Sequence, residues 1–415
     1  MLTLPPLSLY VHLPWCVRKC PYCDFNSYTL HGELAEAAYV RRLVQDLEAQ
    51  SAKVGGRSVR TVFFGGGTPS LFSAEALGRV LQGARRHLAL ASDAEITLEA
   101  NPGTIERGAF REYRAAGITR VSLGAQSFDA ERLQALGRIH SPQETRTAVA
   151  ELHAAGLGNF NLDLMYALPG QSRAGALADV REALAMAPAH VSHYQLTLEP
   201  GTPFAAQPPP LPDDDAAAEM LSECLAALAD AGLAQYEVSA YARAGRQCAH
   251  NLNYWSFGDY LGIGAGAHGK LTFPERNEIV RTVQPREPRR YLAAAPGTLT
   301  QSAVPPAERP FEFMLNALRL CQGFDAQLFT SRTGLSLDSI AAPLAAALER
   351  GLVLSEQNTY RPSPRGLRFL NDTLLLFMAE NPQMTGDSAL SIACHQVGTG
   401  NPAGLFTASG GAIAE

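Results

Sequence analysis

The sequence predicts an α/β protein in which a parallel sheet carries helices and a smaller, mainly helical unit follows. Three observations predict it. From residue 7 to about 240, short β-rich runs alternate with helix-length segments, the pattern that builds β-α units and a parallel sheet. Glycines at 117, 156 and 232 stand where helical stretches should stop. After about residue 290 the alternation gives way to helices and one short hairpin. Periodicity alone leaves open whether the sheet lies flat or closes into a barrel.

In chain order, strands are expected at 8–13, 59–64, 94–99, 118–123, 159–164, 190–196 and 235–239. Between them, segments rich in Ala, Leu, Glu and Arg predict helices at 33–50, 73–88, 105–116, 142–155, 173–187 and 213–231. Ser73 is a plausible helix start. Residues 199–212 carry six prolines and read as an extended crossing, because the β-α pattern resumes after them. The resulting division is a core at 1–240, a Gly- and aromatic-rich connecting segment at 241–290, and a C-terminal helical domain at 291–380. Within the last, three helices and a hairpin (351–354, then 359–362) are typical of a winged-helix-like module. The Gly/Ala/Ser-rich tail at 381–415 is expected to be disordered.

Composition narrows the function classes. With 46% hydrophobic and 18% charged residues the chain reads as an ordinary globular enzyme. A net charge of −6 gives no basic footprint, so nucleic acid is not expected as a partner. Neither a transmembrane segment nor a signal peptide is evident. Seven cysteines, three of them within eight residues, do not resemble a disulfide framework. They suggest a metal site in a reducing compartment, which places the chain in the cytoplasm.

Cys16, Cys20 and Cys23 have C-x3-C-x2-C spacing just after the first expected strand. Pro14 and Pro21 discourage a helix there, so the three thiolates can loop around one cluster. Three protein ligands for four irons leave one iron open. A structural zinc site would need a fourth ligand such as His12 or His31, and a redox dithiol would leave Cys16 unexplained. A [4Fe–4S] cluster accounts for all three.

This motif, with an aromatic before its last cysteine, resembles the hallmark of the radical S-adenosylmethionine superfamily. The resemblance implies a partial parallel (β/α)6 barrel and reductive cleavage of S-adenosylmethionine at the open iron. Gly65, Gly66 and Gly67, followed by Thr68 and Pro69, resemble the superfamily's glycine element for the methionine end of the cofactor. The Thr-Pro ending narrows the likeness to the anaerobic coproporphyrinogen III oxidase family, and the resemblance runs from about residue 10 to 378. It implies cofactor contacts from Tyr10, Tyr22, Gly66, Gly67, Thr68, Glu99, Gln126, Arg138 and Asp163. Glu99, Gln126 and Asp163 fall at or near the ends of expected strands, where barrel enzymes keep their functional residues. Asp163 or Glu99 can accept from ribose hydroxyls or the ammonium, and Arg138 can pair with a carboxylate.

Two branches of that family diverge here. Its oxidases carry a further cysteine two residues after the third, where this chain has Phe25, and a longer segment before the first strand. Residues 250–255 instead resemble the H-N-x-x-Y-W signature of the family's heme chaperones. The resemblance implies heme as ligand, with His250 as candidate axial ligand between aromatics, and acceptor hemoproteins, membrane respiratory proteins among them, as partners. Cys248 and His268, the latter in a Gly-rich loop, are further conceivable heme neighbours. It also implies a homodimer and no coproporphyrinogen oxidation; the alternative is an oxygen-independent coproporphyrinogen III oxidase.

Overall fold

Alternation of apolar and polar residues in several early strands shapes the molecule. The computed structural model describes residues 1–104 and 109–378. Within them one sheet has twelve strands: β1 (Leu7–Leu13), β2 (Ser58–Gly66), β3 (Ala89–Ala100), β4 (Arg120–Gln126), β5 (Phe160–Tyr166), β6 (His190–Gln195), β7 (Ala234–Glu237), β8 (Ala240–Ala242), β9 (Asp259–Ile263), β10 (His268–Phe273), β11 (Glu278–Val283) and β12 (Thr300–Ala303). Their spatial order is β12-β11-β10-β9-β1-β2-β3-β4-β5-β6-β8-β7. β9 and β1 to β6 run parallel, and both flanks are antiparallel. The sheet keeps two free ends, so the barrel is partial.

The crossover helices are α1 (Glu36–Ser51), α2 (Ala74–His87), α3 (Ala109–Ala116), α4 (Ala130–Ala135), α5 (Pro142–Ala154), α6 (Arg173–Ala185) and α7 (Asp214–Asp230). Their starts are chemically marked. Ser73 accepts from the Ala76 amide, and Ser141 and Glu144 form a reciprocal capping box. The helices pack on Leu9, Val11, Val62, Phe64, Leu98, Val121, Leu123, Leu162 and Leu164, all buried outward-facing strand residues. Each such side chain contributes about 1.5–3 kcal/mol.

Strand and helix positions agree with expectation to within a few residues, apart from two differences. The expected strand at 235–239 is an antiparallel edge hairpin, not a further parallel strand. The stretch 241–290, expected as a weakly patterned connection, carries β9, β10, β11 and the short helix α8 (Ala249–Trp255) and so belongs to the sheet. β9 and β10 are short and Gly-interrupted, which hid their period. The expected helix at 105–116 is seen from Ala109, and its first residues lie outside the described residues, as does the tail at 381–415.

The C-terminal unit packs around Phe313, Phe324 and Phe329, in a core that Phe257 and Ile279 also enter. It comprises α9 (Arg309–Ala317), α10 (Ala326–Thr333), α11 (Ala341–Glu349) and a small three-stranded sheet. Its hairpin, Val353–Glu356 with Thr359–Pro362, turns through Gln357 and Asn358, both at positive φ, as a two-residue turn requires.

Candidate functional site

A parallel sheet covered on both faces normally reads as continuous apolar runs. Here many alternate residues are polar, and those residues share the barrel interior. Ser8, Tyr10 and His12 come from β1, Thr61 from β2, Glu95, Thr97 and Glu99 from β3, Arg120 and Ser122 from β4, and Asn161 and Asp163 from β5. They bond across strands, Thr61 to Ser8 at 2.7 Å, Asn161 to Ser122 at 2.8 Å and Ser122 to Asp163 at 3.2 Å, and along β5, Asn161 to Asp163 at 2.7 Å. The lumen is therefore a polar chamber, unlike the packed centre of a complete barrel. Thr97 Oγ1 and Arg120 Nε are buried in it without a hydrogen-bond partner.

The cysteine loop caps the C-terminal end of these strands. Its stem is a two-residue parallel bridge, Trp15 with Tyr28 and Cys16 with Thr29. Cys16, Cys20 and Cys23 are free and half-buried. The surroundings suit thiolates. Arg138 Nη1 lies 3.7 Å from Cys20 Sγ, and Ser27 Oγ lies 3.8 Å from Cys23 Sγ. Burial pushes the Cys16 thiol up, opposed by the Thr68 and Ser27 hydroxyls and by Arg138. Burial likewise pushes Cys23 up to about 11, opposed by the Phe25 amide, Ser27 and Lys19. Among the described residues no three His, Cys, Asp or Glu side chains are gathered as a single-ion cage. The donor set, three thiols fed by hydrogen-bond donors and a guanidinium, fits an iron–sulfur cluster.

The expected cofactor residues gather below this loop. Glu99 accepts from the Gly66 amide at 3.1 Å, which ties β3 to the glycine turn. Gly66 and Gly67 leave space that the chain itself fills: a Cβ would lie 2.6 Å from the His12 ring and 2.6 Å from the Trp15 carbonyl oxygen, respectively. The Thr68 amide donates to the Trp15 carbonyl at 2.7 Å. The glycines thus press the turn against the cysteine loop. Tyr10, buried, bonds His12 at 2.9 Å and lies within the field of Glu99, and burial pushes its phenol well up.

On the opposite wall, Arg138 donates to Asn101 and, at 2.9 Å, to the Gly124 carbonyl. Tyr22 packs toward Phe204, with ring centres 6.3 Å apart, and feels the Arg138 charge. Gln126 sits at φ 66°, a strained value for a non-glycine residue, and accepts from Tyr194 at 2.8 Å. Burial raises the Asp163 carboxyl, opposed by Asn161, Ser192, Ser122 and Arg120. Tyr194, Arg120, Asn161 and Ser122 were not singled out from the sequence. Parity could have found them, since they share the interior alternation of Asp163.

His250 is placed otherwise than a heme ligand requires. It is 1% exposed, with Nδ1 2.7 Å from Thr61 Oγ1 and Nε2 3.1 Å from Tyr254 Oη, and it stacks on Phe63 at 5.0 Å. Both ring nitrogens are engaged, and burial with Arg120 nearby pulls its pKa down to about 3. The rest of the 250–255 segment is structural too. Asn253 donates to Ser8 Oγ and to the Asp259 carbonyl, each at 2.9 Å, and Trp255 lies under Arg319 at 4.4 Å. Cys248 is fully buried, its sulfur 3.7 Å from Glu95. His268, by contrast, is half-buried at the barrel mouth.

Comparison with known proteins agrees with this architecture. The Radical SAM superfamily model matches residues 10–184, and the HemN C-terminal domain model matches 304–369. The chain is 49% identical to the heme chaperone HemW of Escherichia coli, over 92% of this chain and 100% of that one. It is 46% identical to the heme chaperone HemW of Haemophilus influenzae, over 91% and 99%. The bovine mitochondrial radical S-adenosyl methionine domain-containing protein 1 is 36% identical, over 90% and 87%. Among solved structures, coproporphyrinogen III oxidase (HemN) from Escherichia coli shares the fold, with a TM-score of 0.77 at 23% identity and 90% of each chain covered.

Proposed function

The chain belongs to the HemW family of heme chaperones, within the radical SAM superfamily, and on that premise we propose that it binds heme and passes it to acceptor hemoproteins. The observation that carries this reading is the end-to-end match to a heme chaperone at 49% identity, with no part of that relative left uncovered. Phe25, in place of a fourth nearby cysteine, supports it against coproporphyrinogen oxidation.

Membership implies a [4Fe–4S] cluster and S-adenosylmethionine, and the polar chamber has the residues for both. Cys16, Cys20 and Cys23 would hold the cluster. When bound, the cluster would supply an iron centre with one position free for the methionine end of the cofactor. Arg138, beside Cys20, offsets negative charge on the thiolates and offers a carboxylate partner. Thr68 and Ser27 donate toward the sulfurs. Glu99 can accept from an ammonium, and Asp163 from ribose hydroxyls. Tyr194 fixes the Gln126 carboxamide through its oxygen, and the amide nitrogen would donate to a ligand. Tyr10 and Tyr22 wall the chamber. Acceptor hemoproteins, including membrane respiratory proteins, would meet the chain from outside, since no described helix is long and apolar enough to cross a membrane.

An anaerobic pair of assays tests the function. Cluster-reconstituted protein should bind heme and should form no protoporphyrinogen from coproporphyrinogen III. Robust decarboxylation would restore the oxidase reading.

A further inference from the structure

Nine of the ten histidines lie in the described residues. His12, His190 and His250 have both ring nitrogens bonded. His140 and His153 each bond a backbone carbonyl. His193 is 3% exposed and stacked on Tyr166. His87 ends α2, which returns the chain to the start of β3 and so to the far end of the barrel. His31 is exposed on the surface. His268 alone among the described histidines is half-buried at the mouth with no hydrogen-bonded ring nitrogen.

Its backbone is held unusually firmly. β9 runs parallel to β1, so the 264–268 loop emerges beside the cysteine loop. A Cβ on Gly264 would lie 2.2 Å from the His12 carbonyl oxygen, and one on Gly262 would lie 1.9 Å from that of His268. Ala267 packs with Tyr10 and Phe63 inside the lumen. Asn26 of the cysteine loop donates to the Ala265 and Arg286 carbonyls, each at 3.0 Å, and accepts from Arg286 Nε at 3.0 Å. Arg286 is otherwise exposed. An imidazole thus stands at the start of β10 with a guanidinium near it, against the wall of the cysteine loop. Burial, with Arg281, His12 and Arg286 nearby, pulls the His268 pKa down to about 4, so the ring is neutral with a free lone pair at physiological pH.

We propose that this flank of the barrel mouth is the heme seat, with His268 as an axial ligand of the iron and Arg286 as partner of a propionate. The inference rests on the heme-chaperone reading. Iron takes the imidazole lone pair, and no electron or proton is transferred in that step. Arg286 suits a propionate because a guanidinium pairs with carboxylates through parallel hydrogen bonds. The seat shares Asn26 and its loop with the cluster.

The test is an anaerobic titration of ferric heme into the cluster-reconstituted full chain, read by the Soret band and electron paramagnetic resonance. His268→Ala should weaken binding by at least about tenfold, as loss of a metal ligand does, and change the spin-state signature. Its iron and sulfide content should stay at the wild-type level. Added imidazole should restore the wild-type spectrum, which a merely structural role would not allow. Arg286→Ala should weaken binding by a smaller factor without altering the spectrum. A His268→Ala protein with wild-type affinity and spectrum would overturn the inference alone, as would a defect that imidazole leaves unrepaired while the cluster is intact. Wild-type protein that takes up no heme would overturn the chaperone function as well.

Discussion

At position 67 the whole site depends on the lack of one methyl group. A Cβ there would sit 2.6 Å from the Trp15 carbonyl oxygen, which is backbone and cannot turn aside. Gly67→Ala should therefore cost about 1–3 kcal/mol, the usual penalty of overpacking, and should lower cluster occupancy; denaturant unfolding and iron analysis would show both. Replacing Cys20 with Ala should abolish the iron–sulfur absorbance and release Arg138 from its sulfur neighbour, and a full iron complement in that variant would contradict the ligand set. Spacing made these residues legible, because three cysteines in eight residues have few other uses. His250 was legible only as a motif. Whether a buried histidine turns its ring nitrogens to iron or to Thr61 and Tyr254 is decided by neighbours up to 189 positions away, which no local pattern displays.

Element by element, the sequence was clearest where strands are long and helices capped, and weakest where a strand is a few residues with a glycine inside it. That is why β1 to β6 were foreseen and β9 and β10 were not. The buried carboxylate Asp179 on α6 illustrates a contact invisible to periodicity. It accepts from Ser127 Oγ at 2.7 Å and the Phe128 amide at 2.6 Å, pinning α6 to the turn after β4. Burial raises its pKa from 3.8 to about 6, against the pull of those two hydrogen bonds. Between those values the folded chain holds a proton that the unfolded chain has lost. Stability from this group is full below pH 3.8 and falls as pH rises through 6, by about 3 kcal/mol. Asp179→Asn should flatten that fall, and thermal unfolding of both proteins from pH 4 to 7 would measure it. For α8, His250→Ala should lower stability by about 2–4 kcal/mol through the lost ring packing and hydrogen bonds, while leaving the heme spectrum unchanged. A changed spectrum there would return His250 to the list of ligands.

On the scale of the whole molecule, barrel and C-terminal unit are joined by charges buried between them. Arg319 is 1% exposed, donates to Glu237 at 3.1 Å and covers Trp255 at 4.4 Å, and Arg281 pairs with Glu312 at 2.6 Å. Removing Arg319 strands a carboxylate, and loss of one partner of a buried pair costs about 3–5 kcal/mol. Arg319→Ala should split or broaden the unfolding transition in calorimetry; an unchanged single transition would show the joint to be weak. This coupling places the apolar–aromatic segment 250–255 between lumen and appended unit, a role that follows from three-dimensional contacts alone. The claim on which all else depends is that the chain is a carrier of heme. The direct measurement is to load reconstituted protein with heme, exclude air, and follow the Soret band after adding a heme-free acceptor hemoprotein. The account predicts that the acceptor's spectrum grows as the donor's declines, with no porphyrin product formed. Heme that never leaves, or a chain that oxidises coproporphyrinogen instead, would contradict it.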